Sequence, residues 1–147
     1  MSKTISYRGK LPVGEQDRIR LRTINGKVGY RITKFQVIST TPGGATSEMI
    51  GQIFKTDQTN NITTTVDFSD SDLLAMAFYQ DGSTIDNTQN MTVIFDNEKF
   101  NQDIFVNITD ASGSTVPGNY YIELEAMSLT DLETTMLTLQ SLRTVSE

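Results

Sequence analysis

Short runs that alternate apolar and polar residues, broken by clusters of glycine, proline, asparagine and aspartate, fill most of this sequence. That rhythm is the pattern of a β-sandwich or barrel. The clearest run is Asp17–Thr23. Ile19 and Leu21 point one way along it, and Arg18, Arg20 and Arg22 point the other, so it reads as a half-buried strand. Before it come a short strand at Thr4–Tyr7 and a second run at Lys10–Val13, which Pro12 confines to a sheet edge. Gly14–Gln16 reads as a turn, and Asn25-Gly26 as a hairpin turn, because both of its residues accept positive φ cheaply. Val28–Thr40 is the longest β-like stretch. Its apolar phase changes between Tyr30/Ile32 and Phe35/Val37, which predicts a β-bulge near Thr33-Lys34. A Pro-Gly turn at Thr41–Gly44 separates it from a strand at Glu48–Lys55.

Further on, Ile62, Thr64, Val66 and Phe68 share one face of another predicted strand, Ile62–Phe68. Leu73–Tyr79 fits a buried strand or a helical turn leading into one, and strand is preferred. Met91–Phe95, Asp103–Thr109 and Asn119–Ala126 complete the series. The period then changes. Leu129, Leu132, Met136, Leu139 and Leu142 fall at helical spacing, and Thr130-Asp131-Leu132-Glu133 fits a capping box. The expected architecture is a mainly β, jelly-roll-like antiparallel β-sandwich. It forms one domain over residues 1–147, with a C-terminal amphipathic helix at 130–143.

The residue inventory narrows the chemistry. The chain contains neither cysteine nor histidine. Disulfides, thiolate nucleophiles and cysteine-based metal sites are thereby removed, along with the commonest general base and transition-metal ligand. Neither Gly-x-Ser-x-Gly nor a phosphate-binding loop ending in GKS or GKT occurs. The expectation is a protein that is not an enzyme and carries no cofactor or metal. A carboxylate-pair glycosidase is the only serious enzymatic alternative. Asp67, Asp70 and Asp72 form the densest acidic cluster. Lacking the glycine and terminal glutamate of an EF-hand loop, they read as turn-capping residues in a solvated loop rather than as Ca²⁺ ligands. Neither a leader peptide nor a membrane span is expected. Three Asn-x-Thr triplets, at Asn61, Asn90 and Asn107, are accordingly read as chance matches to the glycosylation pattern.

Charge is unevenly distributed. Residues 1–37 hold nine bases against two acids, a net +7, whereas the remainder holds three bases against sixteen acids, a net −13. Two readings stand equal: an oriented partner surface, or internal pairing of the two parts within one sheet stack. The Arg18/Arg20/Arg22 stripe fits an edge strand guarded by charge, or docking on an acidic protein neighbour. Its lack of aromatic interleaving and the net charge of −6 argue against a nucleic-acid partner. The helix stripe has two readings as well. It reads as covering the core, which is favoured, or as an anchor for a partner groove through Leu132, Met136 and Leu139.

The segments YRGKLPVGEQDRIRLRTINGKVGYRITKFQVIST, VIFDNEKFNQDIFVNITD and NYYIELEAMSLTDLETTMLTLQSLR resemble small virion proteins of tailed, marine podovirus-like bacteriophages. The resemblance is one of overall style and spans most of the chain. It carries no motif from which functional residues map. What it implies is a structural role in a virion assembled in the host cytoplasm. A capsid decoration or cement protein, present in many symmetric copies against other virion proteins, is the better fit. A receptor- or glycan-binding module of the tail is the alternative, with Tyr7, Tyr30, Tyr79, Tyr120 and Tyr121 as stacking surfaces.

Overall fold

The computed structural model describes residues 3–21, 27–44, 46–82, 89–95 and 99–145, the side chains of 131 and 140–145 excepted. Eight strands and one helix follow one another: β1 (Lys3–Leu11), β2 (Glu15–Ile19), β3 (Val28–Ser39), β4 (Ser47–Phe54), β5 (Leu73–Asp81), β6 (Gln89–Ile94), β7 (Ile104–Asp110), β8 (Gly118–Ser128) and α1 (Asp131–Val145). They form two antiparallel sheets, β1-β8-β3 and β2-β7-β4-β5-β6. The chain is therefore mainly β, a two-sheet sandwich with a C-terminal helix. The pairs β1–β8, β2–β7 and β4–β5 nest inside one another, as in a long hairpin rolled up on itself. The remaining pair of such a roll, β3–β6, forms no ladder, because β6 pairs with β5 instead.

Alternation decides which side chains meet between the sheets. Ile104, Val106 and Ile108 of β7 and Ile122 and Leu124 of β8 are completely enclosed, together with Met49 and Ile53 of β4. The predicted bulge is present: the β3–β8 register shifts between Ile32 and Lys34, which brings Phe35 and Val37 onto the core face. Gly51 shows how closely the sheets approach. A Cβ there would stand 2.5 Å from Val37 Cγ2, so no larger residue fits without displacement. The Thr41–Gly44 turn closes through Gly44 N–H to Thr41 O at 3.0 Å, with Gly43 at φ +79°. Proline second and positive φ third make it a type II turn.

Several boundaries differ from the sequence expectation. Thr4–Tyr7 and Lys10–Val13 join into one strand, β1, which stops just before Pro12. Glu15 and Gln16 belong to β2 rather than to a turn, and β2 ends at Ile19, short of Arg20. Arg22 and the Asn25-Gly26 turn lie outside the described residues. The largest correction is Ile62–Phe68, which is not a strand. Residues 55–72 form an arm between β4 and β5, closed at its base by Lys55 N–H to Asp72 O at 2.9 Å. The buried Gln52 amide donates to Thr63 O and Thr65 O at 3.4 and 3.3 Å. Gln52 belongs to the face of β4 that points away from the core, so the arm lies across the outside of the five-stranded sheet. At the sheet edge, Gln58 N–H donates to Gln16 Oε1 at 2.8 Å. The backbone of this alternating segment is thus held on a sheet face instead of joining a ladder.

Candidate functional site

The helix begins as its capping box requires. Glu133 N–H donates to Thr130 Oγ1 at 3.1 Å, and Thr130 N–H donates back to Glu133 Oε1 at 3.3 Å. Glu133 also takes Lys99 Nζ at 2.9 Å, and this ammonium holds its carboxyl below the usual range. Asn101 Nδ2 donates to Thr138 Oγ1 at 3.2 Å. The helix is therefore fastened to the sandwich through Glu133 and Thr138, on its polar side. Leu129, just before the helix, is buried and lies against Gly29, where a Cβ would come within 2.5 Å of it.

The part of the apolar stripe on the described helix faces the other way, and the side chain of Leu142 lies outside the described residues. Leu132 is 70%, Met136 53% and Leu139 56% exposed. The favoured expectation, that this stripe covers the core, is corrected here for Leu132, Met136 and Leu139: they are turned to solvent, and the side of the helix that carries Glu133 and Thr138 meets the sandwich. Leu132, Met136 and Leu139 instead form a continuous apolar strip at i, i+4 and i+7 that nothing among the described residues covers.

The arginine stripe is divided. Arg18 lies on β2, an edge strand of the larger sheet, as the edge-strand reading expects. Its Nε donates to Asp103 Oδ2 at 2.7 Å, and the guanidinium stands 5.9 Å from the Phe105 ring centre. Asp103 Oδ1 also accepts Leu21 N–H at 2.8 Å. Arg20 is exposed beyond the strand end and makes no ion pair among the described residues.

Three tyrosines are turned inward. Tyr30, Tyr79 and Tyr120 are buried. Tyr79 donates to Asp81 Oδ2 at 2.7 Å and Tyr120 to Asp17 Oδ2 at 2.9 Å. Burial, then these carboxylates, push the Tyr79 hydroxyl up to about 12 and that of Tyr120 further still. Tyr7 is half-buried against the core. Tyr121 lies on the outer face, its hydroxyl on Glu123 at 2.7 Å and Lys34 Nζ 5.9 Å above its ring. The acidic loop is built from local turns. Asp67 Oδ1 accepts Ser69 N–H and Asp70 Oδ1 accepts Asp72 N–H, both at 2.9 Å. Among the described residues, no three acidic side chains gather as a metal cluster, and no helix is long and apolar enough to cross a membrane.

One feature lies outside the sequence expectations. A cavity of about 610 Å³ opens where the free edge of β3 faces β5 and β6, with Val37, Tyr120, Ala77, Tyr79, Asn90 and Thr92 around it. Its only sequence signal is the exposed polar character of β6, whose core-facing positions Asn90 and Thr92 are not apolar. No protein-family model matches the sequence, and no curated protein shows significant similarity to it.

Proposed function

We propose that the protein is a non-catalytic structural component of a phage virion, a decoration or cement protein that binds the capsid through protein–protein contacts. The observation that carries this reading is the apolar strip of Leu132, Met136 and Leu139, held outward on a helix whose polar face is spent on the sandwich. A contiguous exposed apolar patch on a charged protein is the physical mark of an interaction surface. The virion as its setting comes from the sequence resemblance. In a particle, many symmetric copies multiply a modest contact, so a small strip suffices. The exposed Arg20 at the sheet edge adds a positive element suited to an acidic neighbour. A tail glycan-binding role draws less support, because Tyr30, Tyr79 and Tyr120 turn their rings into the core.

The test is co-sedimentation of the purified protein with particles of the source phage, with copy number per particle by quantitative mass spectrometry. Binding in a fixed, symmetric copy number is expected. The triple change Leu132→Ser, Met136→Ser, Leu139→Ser should abolish it without altering the circular dichroism. Absence from particles, or full binding by the triple variant, overturns the proposal.

A further inference from the structure

The two sheets close unequally. On the β1 and β2 side, Tyr120 crosses from one sheet to Asp17 of the other. On the opposite side, β3 and β6 face each other as free edges. Among the described residues, no backbone hydrogen bond joins them, and one side-chain bond, Thr92 Oγ1 to Phe35 O at 3.0 Å, bridges the gap. At the start of β3 the edge is occupied, because Tyr30 exchanges both backbone bonds with Phe100 at 2.8 and 3.0 Å. Beyond Phe35 no backbone partner meets it among the described residues.

The backbone groups along this seam point at each other. Since Phe35 directs its carbonyl toward β6, the two-residue period directs the N–H and C=O of Val37 and Ser39 the same way. On β6, Phe95 N–H bonds Leu74 O of the β5 side at 3.1 Å. Met91 and Val93 therefore face β5, and Asn90, Thr92 and Ile94 direct their N–H and C=O into the seam. The cavity lies directly behind these edges. Its inward side chains are Val37, Ala77, Tyr79, Tyr120, Asn90 and Thr92, an apolar interior with a polar mouth. A smaller cavity of about 300 Å³ continues it along β3 past Lys34 and Phe35. Among the described residues, those lining the two spaces include the cations Arg8 and Lys34 and no carboxylate, in a chain of net charge −6.

From this we infer that the β3–β6 seam is a strand-addition site for a partner protein's extended segment, one that alternates apolar residues with acidic ones. Free donors and acceptors on the facing edges call for a main chain rather than a compact ligand. The cavity between the sheets accepts every second side chain, and the cation-bearing lining favours acidic residues in between. From Gln36 to Ser39 the open edge runs about 10 Å at about 3.3 Å per residue, room for a strand of about four residues. The inference is independent of where the protein sits in a particle, and the helix strip plays no part in it.

The test uses a fluorescein-labelled peptide alternating valine with glutamate, titrated against the full chain by fluorescence anisotropy. A peptide of the same composition with its valines contiguous, and one alternating valine with lysine, serve as controls. Saturable binding at least about tenfold tighter than either control is expected, a difference of about 1.4 kcal/mol. Thr92→Pro removes a seam-facing N–H while sparing the β5 ladder, and Ala77→Leu fills the cavity. Each should weaken binding about tenfold or more, with melting and circular dichroism recorded to establish that the variants are folded. Equal binding of the block peptide, no saturation, or unchanged binding by both folded variants overturns the inference. A dimer of the protein alone that Thr92→Pro dissolves would assign the seam to a second copy and overturn the partner assignment.

Discussion

Replacing Gln52 by methionine removes the amide that ties the 55–72 arm to the outside of the larger sheet. The side chain is 2% exposed, and its Nε2 supplies both hydrogens, one to Thr63 O and one to Thr65 O. Methionine fills nearly the same volume and leaves no buried polar group without a partner, while the carbonyls of the exposed arm return to water. The loss is then two neutral hydrogen bonds, each worth about 0.5–1.5 kcal/mol net; at 3.3–3.4 Å they belong at the low end. A total of about 1–2 kcal/mol should lower the melting temperature by about 2–8 °C for a domain of this size. Urea unfolding should report the same loss as a lower midpoint at constant slope. Limited proteolysis should cut faster between Thr63 and Val66, because the arm is released before the sandwich opens. If the midpoint falls but the arm is cut no faster, Gln52 acts through sheet packing and the clamp reasoning is refuted. An unchanged midpoint refutes it as well.

Two pH effects follow from named contacts. The folded Tyr79 hydroxyl is pushed up to about 12 from an ordinary 10.0, first by burial and then by Asp81. The folded state therefore keeps a proton that the unfolded chain releases, and stability should fall as pH rises from about 10 to about 12. Tyr79→Phe should reduce the slope of that part of a melting-temperature series run from neutral to alkaline pH, with the remainder carried by the Tyr120 hydroxyl, which is raised as well. At the acid end, Lys99 holds the Glu133 carboxyl below its usual range. That contribution is present above the ordinary carboxylate pKa and is lost as pH falls through the lowered one, so acid should loosen the helix. Proteolysis between Leu129 and Leu139 should accelerate at low pH in the natural chain, and Lys99→Ala should show little such dependence.

Much of the sandwich could be read from periodicity, and the failures have specific physical causes. Strands that bury one face declare themselves by alternation, as β7 and β8 do, and the phase change that marks the Thr33 bulge is visible for the same reason. Ile62–Phe68 alternates just as clearly but joins no ladder: the strand before it, β4, already has β5 and β7 on its two sides, and the segment is held across the outer sheet face by Gln52. Periodicity reports a chain's competence to form a strand; the competition for edges is decided by the whole topology. The helix was legible to its capping box, yet its orientation was not. An apolar stripe at helical spacing reads identically whether it faces the core or solvent, and only the polar fastenings at Lys99 and Asn101 settle the matter. The seam cavity was invisible for a further reason: it is a missing pairing between strands about 57 residues apart in the chain, with no local pattern of its own.

The uneven charge of the sequence is partly consumed inside the fold, which sharpens what remains outside. Arg18 meets Asp103 and Arg31 meets Glu125 at 2.7 and 2.8 Å, each joining the basic first part to the acidic remainder. Both pairs lie at the surface, so each contributes about 0–1 kcal/mol. Arg18 is thereby committed to its own domain, while Arg20 is left available to a neighbour. Charge reversal should separate the two. Arg20→Glu should leave the melting temperature within about 1–2 °C, as an exposed substitution does, and should weaken co-sedimentation with particles, more so at low than at high salt. Arg18→Glu places a carboxylate against Asp103, which also holds Leu21 N–H, so it should lower stability measurably before any partner is added. If Arg20→Glu binds particles as the natural chain does, the basic edge is only a guard against strand pairing, and the acidic-neighbour reading of this stripe fails.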